Sequence, residues 1–490
     1  MNEENLKQKS ISNFMWKFME RILAQLVSTI VSVVLARILL PDDYGIVAIV
    51  TIFIGICNVF ISQGFATALI QKKDADDKDF SSMFFASIVL SVFLYIVLFF
   101  AAPIISIFFG KGYELLTPIL RVMGLQIPIS AVKSIQQAYV ARKLMFKKFF
   151  WSTLGGTLFS AFVGILLAIK GAGAWALAGQ YLTNTIIDTL ILTITVKWRP
   201  IAYFSWKRIT GMLAFGSKML VAGLIDEIYT QLRSFVIGKK YSSADLAFYN
   251  KGNQFPALFI NNINASLMAV LFPVMSRYQD SEAGLLNVCR KTIKISTFVI
   301  FPIMAGLAAI SESFISILLT DKWLDSVRYM QIFCAIYAFY PIYTANLQGI
   351  KAVGNSTAYL WTEFSKKIVG LLCLIIAIPY GATWIALSLL ISTSINYVIN
   401  AISAKIVLKY PIRQQITDIA PNIIITGIMF ATTYSINGIA ISRFIKLLIQ
   451  LVVGISSYCL VAVISKNESY IFILNTIKEC LNRRCNCERN

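Results

Sequence analysis

The stretch Met212–Gly238, MLAFGSKMLVAGLIDEIYTQLRSFVIG, is long and apolar enough to cross a bilayer, which takes roughly 20 residues at about 1.5 Å rise each. It nevertheless carries Lys218, Asp226, Glu227 and Arg233. An ionised side chain at the centre of a membrane helix costs about 2.5–3.5 kcal/mol, so such groups turn toward a bundle interior or a wet cavity. At about 100° per residue, with Lys218 as zero, Tyr229 falls near about 20°, Arg233 about 60° and Asp226 about 80°. Three charges and a tyrosine therefore share one face, and Glu227 points about 100° away from Asp226. The spacing predicts a membrane helix that lines something polar.

The rest of the chain fits that setting. Of 490 residues, 57% are hydrophobic and 14% charged, against about 25% charged in an ordinary soluble domain. This composition predicts an all-α polytopic membrane protein. A net charge of +20 could suggest nucleic acid, but loops on the cytoplasmic face of membrane proteins accumulate Lys and Arg, so no nucleic-acid partner is expected. Met1–Ser10 is polar and runs into a full-length helix, which does not read as a cleavable signal peptide. The sequence has no histidine, which excludes His relays, His metal sites and Ser-His triads. Of eight scattered cysteines, five lie in apolar stretches and imply no disulfide framework; Cys480, Cys485 and Cys487 read as free thiols. The Asn-x-Ser/Thr triplets at Asn264, Asn355 and Asn467 are what chance supplies. No Gly-rich phosphate loop and no nucleophile–base constellation is present, so neither an enzyme nor a cofactor or metal is expected.

Periodicity predicts fourteen spanning helices. Six cover residues 14–39, 44–70, 80–109, 115–140, 149–170 and 174–196. Six more cover 211–238, 244–275, 286–319, 324–350, 357–379 and 382–408, and a last pair covers 418–440 and 443–465 before a polar tail. With both termini cytoplasmic, 28 Lys and Arg fall on that side, nine on the other and seven within spans, a bias that alternates loop by loop. The chain also repeats itself. Phe14-Met-Trp-Lys17 echoes Phe215-Gly-Ser-Lys218, Ile105-Ser-Ile107 echoes Ile315-Ser-Ile317, Gln137 matches Gln348, and Gly171-Ala-Gly-Ala-Trp175 echoes Tyr380-Gly-Ala-Thr-Trp384. The offset stays near 201–211 residues. Because each half holds an even number of helices, this predicts parallel six-helix halves, 1–200 and 201–410, followed by a helix pair, 411–465, and a cytoplasmic tail, 466–490.

Other helices carry polar stripes. Lys17, Arg21, Gln25, Ser28 and Ser32 occupy about 80° of the first helix, with Glu20 off the stripe. Thr51, Asn58 and Ser62 line the second helix, Gln126, Ser130, Lys133 and Gln137 the fourth, and Lys251, Gln254, Asn261 and Asn262 the eighth. A central cationic cavity is expected, lined by Lys17, Arg21, Lys218, Arg233 and Lys251, with Gln25 and Asn58 as polar contacts. The bland alternatives are snorkelling for Lys17, Lys133 and Lys251, a structural ion pair for Arg21, Asp226 and Arg233, and helix-joining hydrogen bonds for Asn and Ser. Asp188 is a candidate cation-coupling residue, with structural hydrogen bonding as its alternative.

Ala36-Arg37-Ile-Leu-Leu-Pro41-Asp42-Asp43-Tyr44-Gly45 at the first hairpin, Gly64-Phe-Ala-Thr-Ala-Leu-Ile70-Gln71, and Gly171-Ala-Gly-Ala-Trp175-Ala-Leu-Ala-Gly179-Gln180 resemble the Wzx-type exporters of the multidrug/oligosaccharidyl-lipid/polysaccharide superfamily, notably those of colanic acid and related exopolysaccharides. The resemblance covers about residues 10–200 strongly and loosens beyond. It implies a flippase moving undecaprenyl-diphosphate-linked oligosaccharide across the cytoplasmic membrane. It also implies substrate-binding cations on the first and seventh helices, Arg21 and Lys218 or Arg233 here, and a terminal helix pair that grooves the lipid tail. Cationic residues suit a diphosphate, Arg through bidentate bonds. Glu20, Asp188, Asp226 and Glu227 are the candidates for coupling to H+ or Na+, and a polysaccharide polymerase and assembly proteins are candidate partners besides membrane lipids. Rivals are a cation-coupled drug antiporter of the same superfamily, which favours acidic cavities, a polymerase, which needs a large outer loop, and a scaffold without transport.

Overall fold

In hydrocarbon a backbone amide finds no water, so apolar runs of this length satisfy their own hydrogen bonds as helices. The computed structural model describes residues 3–278 and 281–487, and among these every regular element is helical. The chain divides into two compact units, Met1–Ala247 and Phe248–Asn490.

In the first unit, α1 (Glu3–Ile38) is followed by α2 (Pro41–Val59), which passes through a π-helical turn, Phe60–Ala66, into α3 (Thr67–Gln71). Then come α4 (Asp77–Phe109), α5 (Leu116–Gly124), α6 (Gln126–Arg142), α7 (Phe146–Ile169), α8 (Ala174–Thr195) and α9 (Trp206–Lys240). The hairpin residues of the resemblance start α2: Pro41 opens the helix, and Asp43 accepts the Leu40 N–H at 3.0 Å. Asp42 takes the Ser243 hydroxyl at the start of α10 (Ser243–Arg277). A capping box begins α4, with the Asp79 N–H donating to Asp76 at 2.8 Å and the Asp76 N–H to Asp79 at 3.2 Å. Glycine allows close packing between elements. A Cβ at Gly216 of α9 would sit 2.3 Å from the Gly64 carbonyl oxygen in the π-turn, and one at Gly156 of α7 would sit 2.9 Å from the Asp188 Cβ of α8. A core forms from Phe65, Leu69, Phe80, Met83, Ile135, Trp198 and Met212.

The second unit continues with α11 (Glu282–Leu319), α12 (Ser326–Ala338), α13 (Tyr340–Ala352), α14 (Ser356–Ala377), α15 (Ala382–Leu408), α16 (Ile412–Ser435), α17 (Arg443–Ile464) and α18 (Glu468–Cys487). One core gathers Met275, Ile293, Ile342, Tyr410 and Ile419, and another Phe298, Ile425, Met429, Tyr458 and Ala462.

Each of the fourteen expected segments is helical, but among the described residues ten helices are long and apolar enough to cross a membrane. The expected spans 115–140 and 324–350 each break in two, at Leu125 and Phe339. The segment 174–196 carries Gln180, Asn184 and Asp188 and the segment 357–379 carries Glu363, Lys366 and Lys367, which lowers their hydropathy. The polar tail is itself a helix, α18, and the side chains of Cys480, Cys485 and Cys487 lie outside the described residues.

Candidate functional site

The residues expected to bind cargo occupy different environments. On α1, Arg21 and Gln25 are exposed. On α9, Lys218 and Asp226 are exposed, whereas Arg233 is only 4% exposed and its guanidinium lies 5.8 Å from the Tyr229 ring. Glu227 is half-buried and accepts from Gln231 Nε2 at 3.0 Å; a Cβ on Gly55 of α2 would lie 2.8 Å from its Oε1. The shared face of Met212–Gly238 is thus not one environment. Its charge is open at Lys218 and Asp226 and closed over at Arg233. Asn58 on α2 is half-buried, and among the described residues its Oδ1 has no hydrogen-bond partner. In the second unit Lys251 is 5% exposed, donates to Gln254 Oε1 at 3.0 Å and lies 5.6 Å from the Trp323 ring. Asp188, 4% exposed, pairs with Lys133 of α6 at 2.5 Å. The side chains of Lys17 and Glu20 lie outside the described residues.

Sequence reading missed the two best-built polar clusters. In the first unit, fully buried Asp79 accepts from Lys72 at 2.6 Å and from Arg208 of α9 at 2.9 Å, and Arg208 also reaches Asp76 at 2.7 Å. Trp198 Nε1 donates to the neighbouring Asp77 at 3.1 Å. Partial burial opposes ionisation of Asp76, yet the Asp79 N–H and the Arg208 guanidinium outweigh it and hold the carboxyl at about 2. In the second unit, Arg290 of α11 grips Asp418 of α16 with two bonds of 2.7 and 2.8 Å. Lys294 adds contacts to Asp418 at 3.4 Å and Glu468 at 2.9 Å, and the Tyr410 hydroxyl donates to Asp418 at 2.8 Å. Burial and that bond push the Tyr410 phenol far above its ordinary value. Beneath this cluster Asn346 donates to Asn400 and Gln415, and Asn422 to Thr297.

The second unit also holds an apolar groove of about 320 Å³ between α10, α11, α16 and α17. Phe259, Pro302, Leu307, Ile310, Met429, Leu451 and Ile455 line it, with Thr433, Gln450 and Tyr458 as polar members.

This all-helical arrangement is the fold of transporters of the MOP superfamily. The lipid II flippase MurJ in an inward closed conformation superposes with a TM-score of 0.72 at 18% identity, covering 95% of this chain and all of that one. An inward-facing MATE multidrug transporter of the superfamily gives 0.61 at 14% identity, over 79% of this chain and 94% of that one. Residues 34–328 match the family described as polysaccharide biosynthesis protein, and the chain belongs to it. It is similar to the succinoglycan biosynthesis transport protein ExoT of Rhizobium meliloti, 22% identical over 68% of this chain and 67% of that one. The teichuronic acid biosynthesis protein TuaB of Bacillus subtilis is 22% identical over 82% of this chain and 84% of its own length. The lipopolysaccharide biosynthesis protein WzxC of Escherichia coli is 22% identical over 68% of each.

Proposed function

We propose that this protein is a flippase that carries undecaprenyl-diphosphate-linked oligosaccharide repeat units from the inner to the outer leaflet of the bacterial cytoplasmic membrane by alternating access. The products it serves would be O-antigen, capsule or exopolysaccharide. The observation that carries this reading is a pair of opposed chemistries within one polysaccharide-biosynthesis protein. Arg233 and Lys251 are cations kept inside membrane-length helices, where an ionised group is costly without a use. The apolar groove at α16 and α17 suits a polyprenyl chain. A cargo with a diphosphate at one end and a long hydrocarbon at the other needs both. The named relatives support a glycan cargo, and the lipid II flippase supports a lipid-linked one.

In this reading the chain has fourteen spans in two parallel six-helix halves, 1–200 and 201–410, with the pair 411–465 and both termini cytoplasmic. Arg21, Gln25, Asn58, Lys218, Arg233 and Lys251 serve the cargo. Asp226 and Glu227, with Glu20 and Asp188, are the candidates for H+ or Na+ coupling. The antiporter alternative draws on the MATE likeness, but it favours acidic cavity residues, whereas the buried charges among the expected cargo contacts, Arg233 and Lys251, are basic.

The test is complementation of a flippase-null strain, with lipid-linked repeat units assayed on each leaflet. Failure to restore outward units with several cognate glycans would overturn the flippase reading. We expect Arg233→Ala and Lys251→Ala each to lower transport at least about tenfold, the loss of one charge-assisted contact of roughly 1.4 kcal/mol, while insertion stays normal. Normal transport by both variants would remove these residues from the site.

A further inference from the structure

Besides the apolar groove, the second unit holds a polar cavity of about 330 Å³ between α11 and α18, which has no part in the cargo path described above. Its lining includes Asn287, Arg290, Lys291, Lys294, Ser469 and Phe472. We propose that it binds the phosphodiester headgroup of an anionic membrane phospholipid, and that Glu468 is a built-in competitor for the same cations.

Position comes first. With 38 residues, α11 is about 57 Å long at 1.5 Å rise, well beyond the about 30 Å of hydrocarbon it must cross. Its basic residues are confined to Arg290, Lys291 and Lys294, and no further charge follows until Glu312. The cavity therefore opens where the helix leaves its apolar stretch, at headgroup level. Basic pockets at that level between membrane helices attract anionic headgroups.

The charges are unequally used. Both Nε and Nη2 of Arg290 are spent on Asp418. Lys294 is 3.4 Å from Asp418 and meets Glu468 at 2.9 Å, yet the Glu468 side chain is 81% exposed. Lys291 Nζ sits 4.0 Å from the centroid of the Phe472 ring, on the same wall. Two lysines thus face a cavity whose one neutralising group on α18 is a carboxylate at the solvent edge. A phosphodiester bears a single charge on two free oxygens, which Lys291 and Lys294 can share, with Asn287 and Ser469 as neutral donors. Ile295 and Phe472 form an apolar wall for the glycerol and first acyl carbons. The start of α18 is not itself the binding group, because the Ser469 N–H is already taken by Asn467 Oδ1 at 2.9 Å.

The test is equilibrium binding to the purified full-length protein in neutral detergent, by native mass spectrometry, using phosphatidylglycerol, phosphatidylcholine and inorganic phosphate as probes. Phosphatidylglycerol should bind in preference to phosphatidylcholine. Lys291→Gln and Lys294→Gln should each weaken it about fivefold, as expected for one basic residue at a lipid surface. Glu468→Gln should act in the opposite direction and tighten it, because it removes the competitor. That substitution is at an exposed position, so it remains informative if a lysine variant fails to fold. Equal binding of both lipids, unchanged or weaker binding by Glu468→Gln, or equally strong binding of inorganic phosphate would overturn the proposal. The readout is binding rather than transport, so it stands apart from the identity of the cargo.

Discussion

The two units solve one structural problem with opposite signs. In the first, an acid on α4, Asp79, holds a base on α9, Arg208. In the second, a base on α11, Arg290, holds an acid on α16, Asp418. Arg290 lies 211 positions after Asp79 and Asp418 lies 210 after Arg208, within the spacing of the internal repeat. The linker before the second helix of each pair also corresponds, with Lys197-Trp198 matched by Lys409-Tyr410. Both clusters are four-membered chains of alternating sign: Asp76, Arg208, Asp79 and Lys72 in one, Glu468, Lys294, Asp418 and Arg290 in the other. In each, one carboxylate is buried while both cations stay about a third exposed. What the two clusters share is a buried carboxylate between two half-solvated cations; the helix that supplies it differs. That economy is physical. A short carboxylate can be enclosed completely, while Lys and Arg can neutralise it and keep their heads near water.

The heaviest way to break the comparison is to remove either buried acid. Asp79→Ala and Asp418→Ala each leave two facing cations without their anion. We expect a loss of about 3 kcal/mol apiece, toward the low end for a broken buried pair because the cations are partly solvated. Denaturant unfolding of the purified protein would measure it. If one acid proved dispensable, the two clusters would not be counterparts. Double-mutant cycles sharpen the point. The Arg290–Asp418 pair makes two parallel bonds, whereas Arg208 gives Asp79 one bond from Nη1 and shares it with Asp76. Exposure of the two arginines is nearly the same, 33% and 35%, so geometry should decide. We expect a coupling of about 2 kcal/mol for Arg290→Gln with Asp418→Asn, and about half that for Arg208→Gln with Asp79→Asn. Equal couplings would show that the bidentate geometry adds nothing.

The linker rings come next. Tyr410→Phe removes the hydroxyl donor to Asp418 and should cost about 1.5 kcal/mol, as a bond to a charged acceptor does. Trp198→Phe removes the donor to Asp77, a carboxylate in the first turn of α4, and should cost somewhat less, about 1 kcal/mol. The same unfolding assay reads both, and the reverse order would mean that the ring packing of Trp198 against Phe80 and Tyr139 outweighs the hydrogen bonds.

These clusters show where sequence reading succeeds and stops. Helix positions were legible because apolar runs between basic loops carry a strong signal; Pro41 and the Asp76–Asp79 box even mark two helix starts. The expected repeat rests on identities such as Gln137 with Gln348. Identities are blind to charge reversal, so the 211-residue spacing of Asp79 and Arg290 did not register. Lys133 and Asp188 were both visible as intramembrane charges, yet their pairing across 55 positions depends on how α6 packs on α8. Helical-wheel angles placed Lys218, Asp226 and Arg233 together but carry no account of what covers each turn, and only Arg233 is closed over.

The smallest expected effect is a pH dependence in the first cluster. The Asp76 carboxyl is held at about 2, below its ordinary value near about 4. A carboxyl depressed by folding stabilises the folded state above its unfolded value, and that contribution is lost as pH falls through the folded one. Comparison with Asp76→Asn isolates it, since Asn can still cap α4 but cannot ionise. The wild type should exceed the variant in stability at pH 6, and the two should converge as pH drops from about 4 to about 2. The gap should be modest because the Asp76 side chain is 49% exposed and its bond to Arg208 is open to solvent. Equal stability of the two proteins at pH 6 would mean that Asp76 acts through its cap alone. The first cluster would then hold Arg208 by Asp79 only, a three-membered chain where the second unit has four.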